Sequence, residues 1–287
     1  MHISDSDIKE QKLIMKNVRE RFSAVQAKKP LVYIDTYGCQ QNESDSEKIR
    51  GMLLEMGYEI AADEYAADVI VINTCAIREN AENRVFGNVG DLIHTKKAKP
   101  NQLIAVCGCM MAISINIDRV KNMYKHVNII FEPAAIWRFP ELLHAALCDM
   151  YPSIEEKEEK VKLQTDKKQK PKRIYEITGI NRSQTCIAEG LPIHRDKNIK
   201  AWLPIMHGCD NFCAYCIVPY VRGREVSREP DAILSEAREI IKAGYKDITL
   251  LGQNVNSYNP VEIGETYNFP RLLRNISNMD GEFCCVL

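Results

Sequence analysis

The chain has no apolar stretch long enough to suggest a membrane span. Its longest largely apolar run, residues 103–115, falls short of the ~18 residues such a span takes. The first thirty residues are charged and lack the apolar segment of an export signal, so a cytoplasmic protein is expected. Neither sign of charge is in excess, with 38 Lys and Arg against 39 Asp and Glu. Any pull on nucleic acid must therefore come from local patches. The composition, 45% apolar and 27% charged, excludes a wholly disordered or fibrous chain. A length of 287 residues points to two domains.

Cysteine is the residue in surplus. Eleven cysteines without an export signal argue against a disulfide scaffold, because the cytosol keeps thiols reduced. Metal or redox chemistry becomes the leading reading.

Strand and helix signals alternate along the chain. Residues 1–29 place Ile14, Val18, Phe22 and Val25 on one helix face, as a helical arm would. Strands are expected at 31–36, 68–74, 103–106 and 128–131. Helices are expected at 42–56, at 79–97 with a break near Gly87 and Gly90, and at 134–147. Such repeats imply an α/β domain at 30–150, a parallel sheet with helices on both faces. Thirteen of the twenty-three residues in 151–173 are charged, and 151–198 reads as a solvated linker. Its basic part either touches RNA or is plain surface. A second domain starts near residue 199, with a strand at 199–206, a helix at 231–243 and a strand at 248–254.

Cys39, Cys75 and Cys109 each fall at or just past the carboxyl end of an expected parallel strand, the edge where ligands bind in open α/β sheets. They either converge on one site or serve as small buried hydrophobes. Gly38 and Gly108 precede two of them and permit sharp turns. The second domain offers a C-x-x-x-C-x-x-C loop, Cys209, Cys213 and Cys216, directly after a strand. Soft thiolates favour iron–sulfur clusters or zinc. Three of them can hold three irons of a [4Fe–4S] cube and leave the fourth open. Zinc would need a fourth ligand, and His207 is the nearest.

At this point the residues resemble a known family. The cysteine loop, with Tyr215 before its last cysteine, is similar to the signature of radical S-adenosylmethionine enzymes. GCDNFCAYCIVPYVRGREVSREP (208–230) resembles the methylthiotransferase branch, as do TYGCQQNESDSE (36–47), NTCAIRENAENRVFG (73–87) and VCGCM (106–110). The wording is nearest to the tRNA-2-methylthio-N(6)-dimethylallyladenosine synthases. It extends through KAWLPIMHGC (200–209) and LLGQNVNSY (250–258), so the likeness runs from about residue 31 to about 280.

The resemblance implies two [4Fe–4S] clusters. Cys209, Cys213 and Cys216 would hold the cluster whose open iron chelates S-adenosylmethionine and cleaves it to a 5′-deoxyadenosyl radical. Cys39, Cys75 and Cys109 would hold an auxiliary cluster that supplies sulfur. Tyr215 is expected near the adenine of the cofactor, and Gly252, Gln253 and Asn254 near its methionine end. The implied substrate is tRNA bearing isopentenyladenosine next to the anticodon, with a reductant such as flavodoxin or ferredoxin, and the protein is expected to be a monomer. Threonylcarbamoyladenosine in tRNA, a ribosomal protein, or a non-catalytic metal-binding role are the alternatives. Arg222, Arg224 and Arg228 either bind tRNA phosphates or pair with Glu225 and Glu229. Two departures stand out: Gln41 replaces the methionine usual in relatives, and only seventy-nine residues follow from Cys209. The second domain at 199–287 is thus expected to be the first part of a partial (β/α) barrel, without the family's TRAM domain, and a poor catalyst by itself.

Overall fold

Residues 69–74 and 103–108 are buried at every position, which a strand achieves only when both of its faces are covered. The computed structural model describes residues 3–25, 28–76, 79–150, 174–179, 185–195, 199–260 and 267–287. Strands β1 (Leu31–Thr36), β2 (Glu59–Ile60), β3 (Val69–Thr74), β4 (Leu103–Gly108), β5 (Ile129–Phe131) and β6 (Tyr175–Ile177) form one sheet, ordered β2-β1-β3-β4-β5-β6. Every neighbouring pair is parallel. Helices α1 (Asp5–Val25), α2 (Gln40–Glu55), α3 (Glu79–Ala98), α4 (Ser114–Met123) and α5 (Phe139–Met150) flank it.

Alternation along the strands divides the core in two. Val69, Val71, Leu103, Ala105, Ile129 and Phe131 pack with α1, α2 and α5. Ile70, Ile72, Ile104, Val106 and Ile130 pack with α3 and α4.

Several elements differ from the sequence reading. The buried stripe of α1 is Ile8, Gln11, Met15 and Val18, while Ile14 is half-buried. The side chains of Phe22 and Val25 lie outside the described residues. Helix α3 runs unbroken through Gly87 and Gly90, because Val85, Phe86, Val89 and Leu92 hold it on the sheet. The helix expected at 134–147 divides into a 3-10 segment, Pro133–Arg138, and α5. Pro140 in the first turn of α5 lacks an N–H, which suits a helix start and not a helix interior.

The second unit contains β7 (Lys200–Pro204), β8 (Met206–His207), β9 (Val226–Ser227), β10 (Asp247–Leu251) and β11 (Cys284–Val286). Its helices are α6 (Val218–Val221), α7 (Pro230–Lys242) and α8 (Phe269–Ser277). A parallel sheet runs β11-β10-β7, and β8 pairs with β9 as an antiparallel ribbon. Ala201, Leu203, Ile248 and Leu250 bury against Ile233, Ala237 and Ile240 of α7 and Leu272 and Ile276 of α8.

The stretch read as linker is partly built into the fold. Residues 175–177 complete the first sheet as β6, and His194 N donates to Glu47 O at 3.0 Å. A Cβ on Gly51 would come within 2.3 Å of the Pro192 carbonyl oxygen, so α2 and residues 192–193 touch backbone to backbone. The charged run 151–173 lies outside the described residues. No helix among the described residues is long and apolar enough to cross a membrane.

Phe131 is fully buried and stacks on Phe139 at 5.1 Å between ring centroids. Phe131→Ala should lower the unfolding free energy by about 3–5 kcal/mol in urea titrations followed by circular dichroism. A loss below about 1 kcal/mol would contradict this packing.

Candidate functional site

The first sheet reverses direction beside β1. The chain leaves β1 for β2 on one side and returns to β3 on the other, which opens a crevice at the carboxyl ends of β1 and β3. Cys39 follows β1, Cys75 follows β3 and Cys109 follows β4. Gly38 has φ +147°, and a Cβ there would stand 2.8 Å from the Cys75 Cβ. Gly108 has φ +93°, and a Cβ there would meet the Thr74 carbonyl oxygen at 2.2 Å. Only glycine lets the three loops approach this closely.

Two buried amides tie the loops together. Asn42 Nδ2 donates to Thr74 O at 2.9 Å and to Asn73 Oδ1 at 3.2 Å. Asn73 Nδ2 donates to Asn42 O and to Ser46 Oγ, each at 2.9 Å. The Cys39 thiol donates to Asn42 Oδ1 at 3.3 Å. These asparagines were not singled out in the sequence, although a polar Asn73 ending an apolar strand was a visible signal.

The second cysteine loop is shaped by backbone contacts. Gly208 has φ +76°, and a Cβ there would lie 2.0 Å from Arg224 O. Cys209 N donates to Gly223 O at 3.2 Å, and Cys216 N donates to Cys213 O at 2.9 Å. Phe212 adopts φ 44°, a strained conformation of the kind that concentrates at functional sites. Its ring lies edge-on to Tyr220, with the Arg224 guanidinium 5.1 Å from its centroid.

A cavity of about 270 Å³ brings the two cysteine sets together. Cys39 and Cys109 of the first set and Cys209 and Cys216 of the second line it, together with Arg222, Gly252 and Gln253. Cys75 is buried against Gly38, and Cys213 is exposed at the rim of its loop. Among the described residues, no three His, Cys, Asp or Glu side chains gather around a point where one metal ion could sit. A four-iron cube asks for a different arrangement, in which each thiolate takes its own iron and the sulfurs stand apart. Two of the lining residues, Arg222 and Gln253, each carry a buried side-chain atom without a partner, Nη2 and Oε1. Thiolates, glycine turns and unpaired polar atoms together fit a cluster with a polar ligand. His207 lines separate cavities, so the zinc arrangement with His207 as fourth ligand gains no support. Burial, with Lys48, Arg222 and Arg228 nearby, holds its imidazole well below the ordinary histidine range and therefore neutral.

The arginines are placed differently from the sequence expectation. The Arg222 side chain is buried, with Nη1 2.7 Å from Asp45 Oδ2 and Nε donating to Cys109 Sγ at 3.2 Å. Its charge is met inside the protein by Asp45 of the first unit. Burial works against its charge, but Asp45 and then Cys109 outweigh that and hold it protonated more firmly than a free arginine. Burial likewise pushes the Cys109 thiol up, and Arg222 draws it back down. Arg224 remains half-exposed, paired with Asp210 at 3.1 Å. Arg228 is buried on Glu189 and Glu236, at 2.6 and 2.8 Å. Tyr215 is 94% exposed, while Gly252 and Gln253 line the cavity and Asn254 does not.

Two families match the chain: "Uncharacterized protein family UPF0004" over residues 31–132 and "Radical SAM superfamily" over residues 203–285. Curated relatives named tRNA-2-methylthio-N(6)-dimethylallyladenosine synthase span both regions. The one from Clostridium botulinum is 45% identical over 87% of this chain and 49% of its own length. That from Clostridium perfringens is 46% identical over 88% and 51%. That from Acetivibrio thermocellus is 40% identical over 98% and 54%. The two matched regions and these relatives make the chain similar to methylthiotransferases of the radical S-adenosylmethionine kind over most of its own length. The chain spans about half the length of the curated relatives it matches. A solved radical S-adenosylmethionine methyltransferase from Kitasatospora setae, TsrM, is a distant likeness at 11% identity. It covers 80% of this chain and 50% of its own, with a TM-score of 0.46.

Gly108→Ala tests the glycine argument. The added Cβ would displace Cys109, so iron content after anaerobic reconstitution should fall by about four atoms. Unchanged iron would show that the turn tolerates a side chain.

Proposed function

We propose that the protein of which this chain is part inserts a methylthio group at carbon 2 of N(6)-isopentenyladenosine next to the anticodon of tRNA. One observation carries this reading: thiols from two separate three-cysteine sets open onto one cavity. When bound, a [4Fe–4S] cluster on Cys209, Cys213 and Cys216 supplies the electron that cleaves S-adenosylmethionine, and one on Cys39, Cys75 and Cys109 supplies sulfur.

The chain's own residues hold and shield this chemistry. Gly208 and Gly223 let the second loop fold back on itself, which fixes where Cys209 stands. Gln253, whose carboxamide oxygen lacks a partner in the wall, is suited to accept from the amino group of S-adenosylmethionine. Val218, Val221 and Leu251 supply apolar wall and limit water, which would quench a radical. The target is an unactivated aromatic C–H bond that no side-chain base removes, so radical chemistry answers a physical need. A one-electron donor of the flavodoxin or ferredoxin class and a cytoplasmic, monomeric setting complete the proposal.

Two variants separate the roles. Cys213→Ala should abolish reductive cleavage of S-adenosylmethionine. Cys75→Ala should leave cleavage intact, and the corresponding change in a full-length relative should stop methylthiolation of isopentenylated tRNA. Equal loss of cleavage in both folded variants would contradict the division of labour. Activity of that relative on a ribosomal protein, and none on such tRNA, would overturn the substrate.

A further inference from the structure

Arg222 belongs to the second unit, yet its side chain is spent on the first. It follows α6, immediately past the C-x-x-x-C-x-x-C loop. Its Nη1 meets Asp45 of α2 at 2.7 Å, and its Nε donates to Cys109 Sγ at 3.2 Å. The guanidinium also lies close enough to Cys39 to feel its charge. The third nitrogen, Nη2, is buried without a partner. Both ion-pair side chains are almost fully enclosed, at 6% and 4% exposure.

A surface contact between units does not need this arrangement. A residue that merely joined two units could stop at the Asp45 pair. Here the fork is turned so that a second N–H reaches a cysteine sulfur, and the third nitrogen is buried without a partner. Arginine is the side chain that presents several donors in a fixed plane, and a lysine would supply the charge without the fork. An unpaired buried N–H is costly unless an acceptor arrives. A cluster on Cys39, Cys75 and Cys109 would bring sulfur acceptors beside this guanidinium, which already meets Cys109 Sγ.

We propose that Arg222 is a positioning residue that reaches from the radical-generating unit to the auxiliary cluster. It donates hydrogen bonds to the sulfurs of that cluster, raises its reduction potential and sets its orientation towards the second cysteine loop. The inference rests on the two-cluster reading above. Its physical basis is that donors and positive charge near cluster sulfurs favour the reduced, more negative state. Asp45 anchors the guanidinium from behind and keeps the fork from rotating.

The test isolates the auxiliary cluster in the full chain by replacing Cys213 and Cys216 with alanine. Both are surface-accessible, and neither belongs to the apolar core. The auxiliary cluster is then titrated with redox mediators and followed by electron paramagnetic resonance. Arg222→Gln should lower the reduced-to-oxidised ratio at fixed ambient potential about tenfold, equivalent to about 59 mV for one electron. Because that variant strands a buried carboxylate, the pair Asp45→Asn with Arg222→Gln is measured beside it and should shift in the same direction. Arg222→Lys, which keeps the charge, should recover part of the potential but not the spectral shape. An unchanged potential and spectrum in the double variant, with the cluster still present, would overturn the inference alone. Absence of any cluster on the first cysteine set in otherwise wild-type protein would overturn the two-cluster reading, and the inference with it.

Discussion

The crevice at the carboxyl ends of β1 and β3 is the constraint on which the rest of the structure depends. A parallel sheet whose connections leave β1 to both sides must open there, because no loop crosses the gap. Cys39 and Cys75 sit on its two lips, and Cys109 reaches it from the next strand. Gly38, Gly108 and the Asn42–Asn73 amides then hold the lips against each other. A site built this way inherits its rigidity from two buried cores rather than from its own loops.

The second unit, together with the segment that leads into it, closes that crevice instead of hanging beside it. Arg222 pairs with Asp45, Arg195 lies within 3.7 Å of Glu47, and the chain at Pro192 packs on Gly51. These partners all lie on α2, which also begins directly after Cys39. Helix α2 therefore connects the first cysteine set to the second unit. Removing one partner of the Asp45–Arg222 pair would leave a buried charge uncompensated, at a cost of about 3–5 kcal/mol. Such a penalty keeps the two cysteine sets in a fixed relation while the cavity between them stays open.

Much of this was legible in the sequence, for identifiable reasons. Strands β3, β4 and β5 announced themselves because strands covered on both faces need unbroken apolar runs, whereas β1, only partly buried, showed through its apolar start. The cysteines at the strand ends and the loop at 209–216 followed from spacing. Strands β2 and β6 did not, since Glu59–Ile60 is exposed and Tyr175–Ile177 is only half-buried, so neither carries a hydrophobic pattern. Helix α4 was hidden by sharing the apolar segment of β4. The role of Arg222 was out of reach altogether, because its partner Asp45 lies 177 positions earlier and no local pattern connects them. For the same reason Arg224 and Arg228, two arginines of one basic stretch, turn out to occupy an exposed pair with Asp210 and a buried one with Glu189 and Glu236.

The central claim is that both cysteine sets face one cavity, and the distance between their clusters tests it most directly. With both clusters reconstituted and reduced, electron paramagnetic resonance should show magnetic coupling between them. The coupling should vanish when either Cys75 or Cys213 is replaced by alanine. A spectrum equal to the simple sum of the two single-cluster variants would contradict the account.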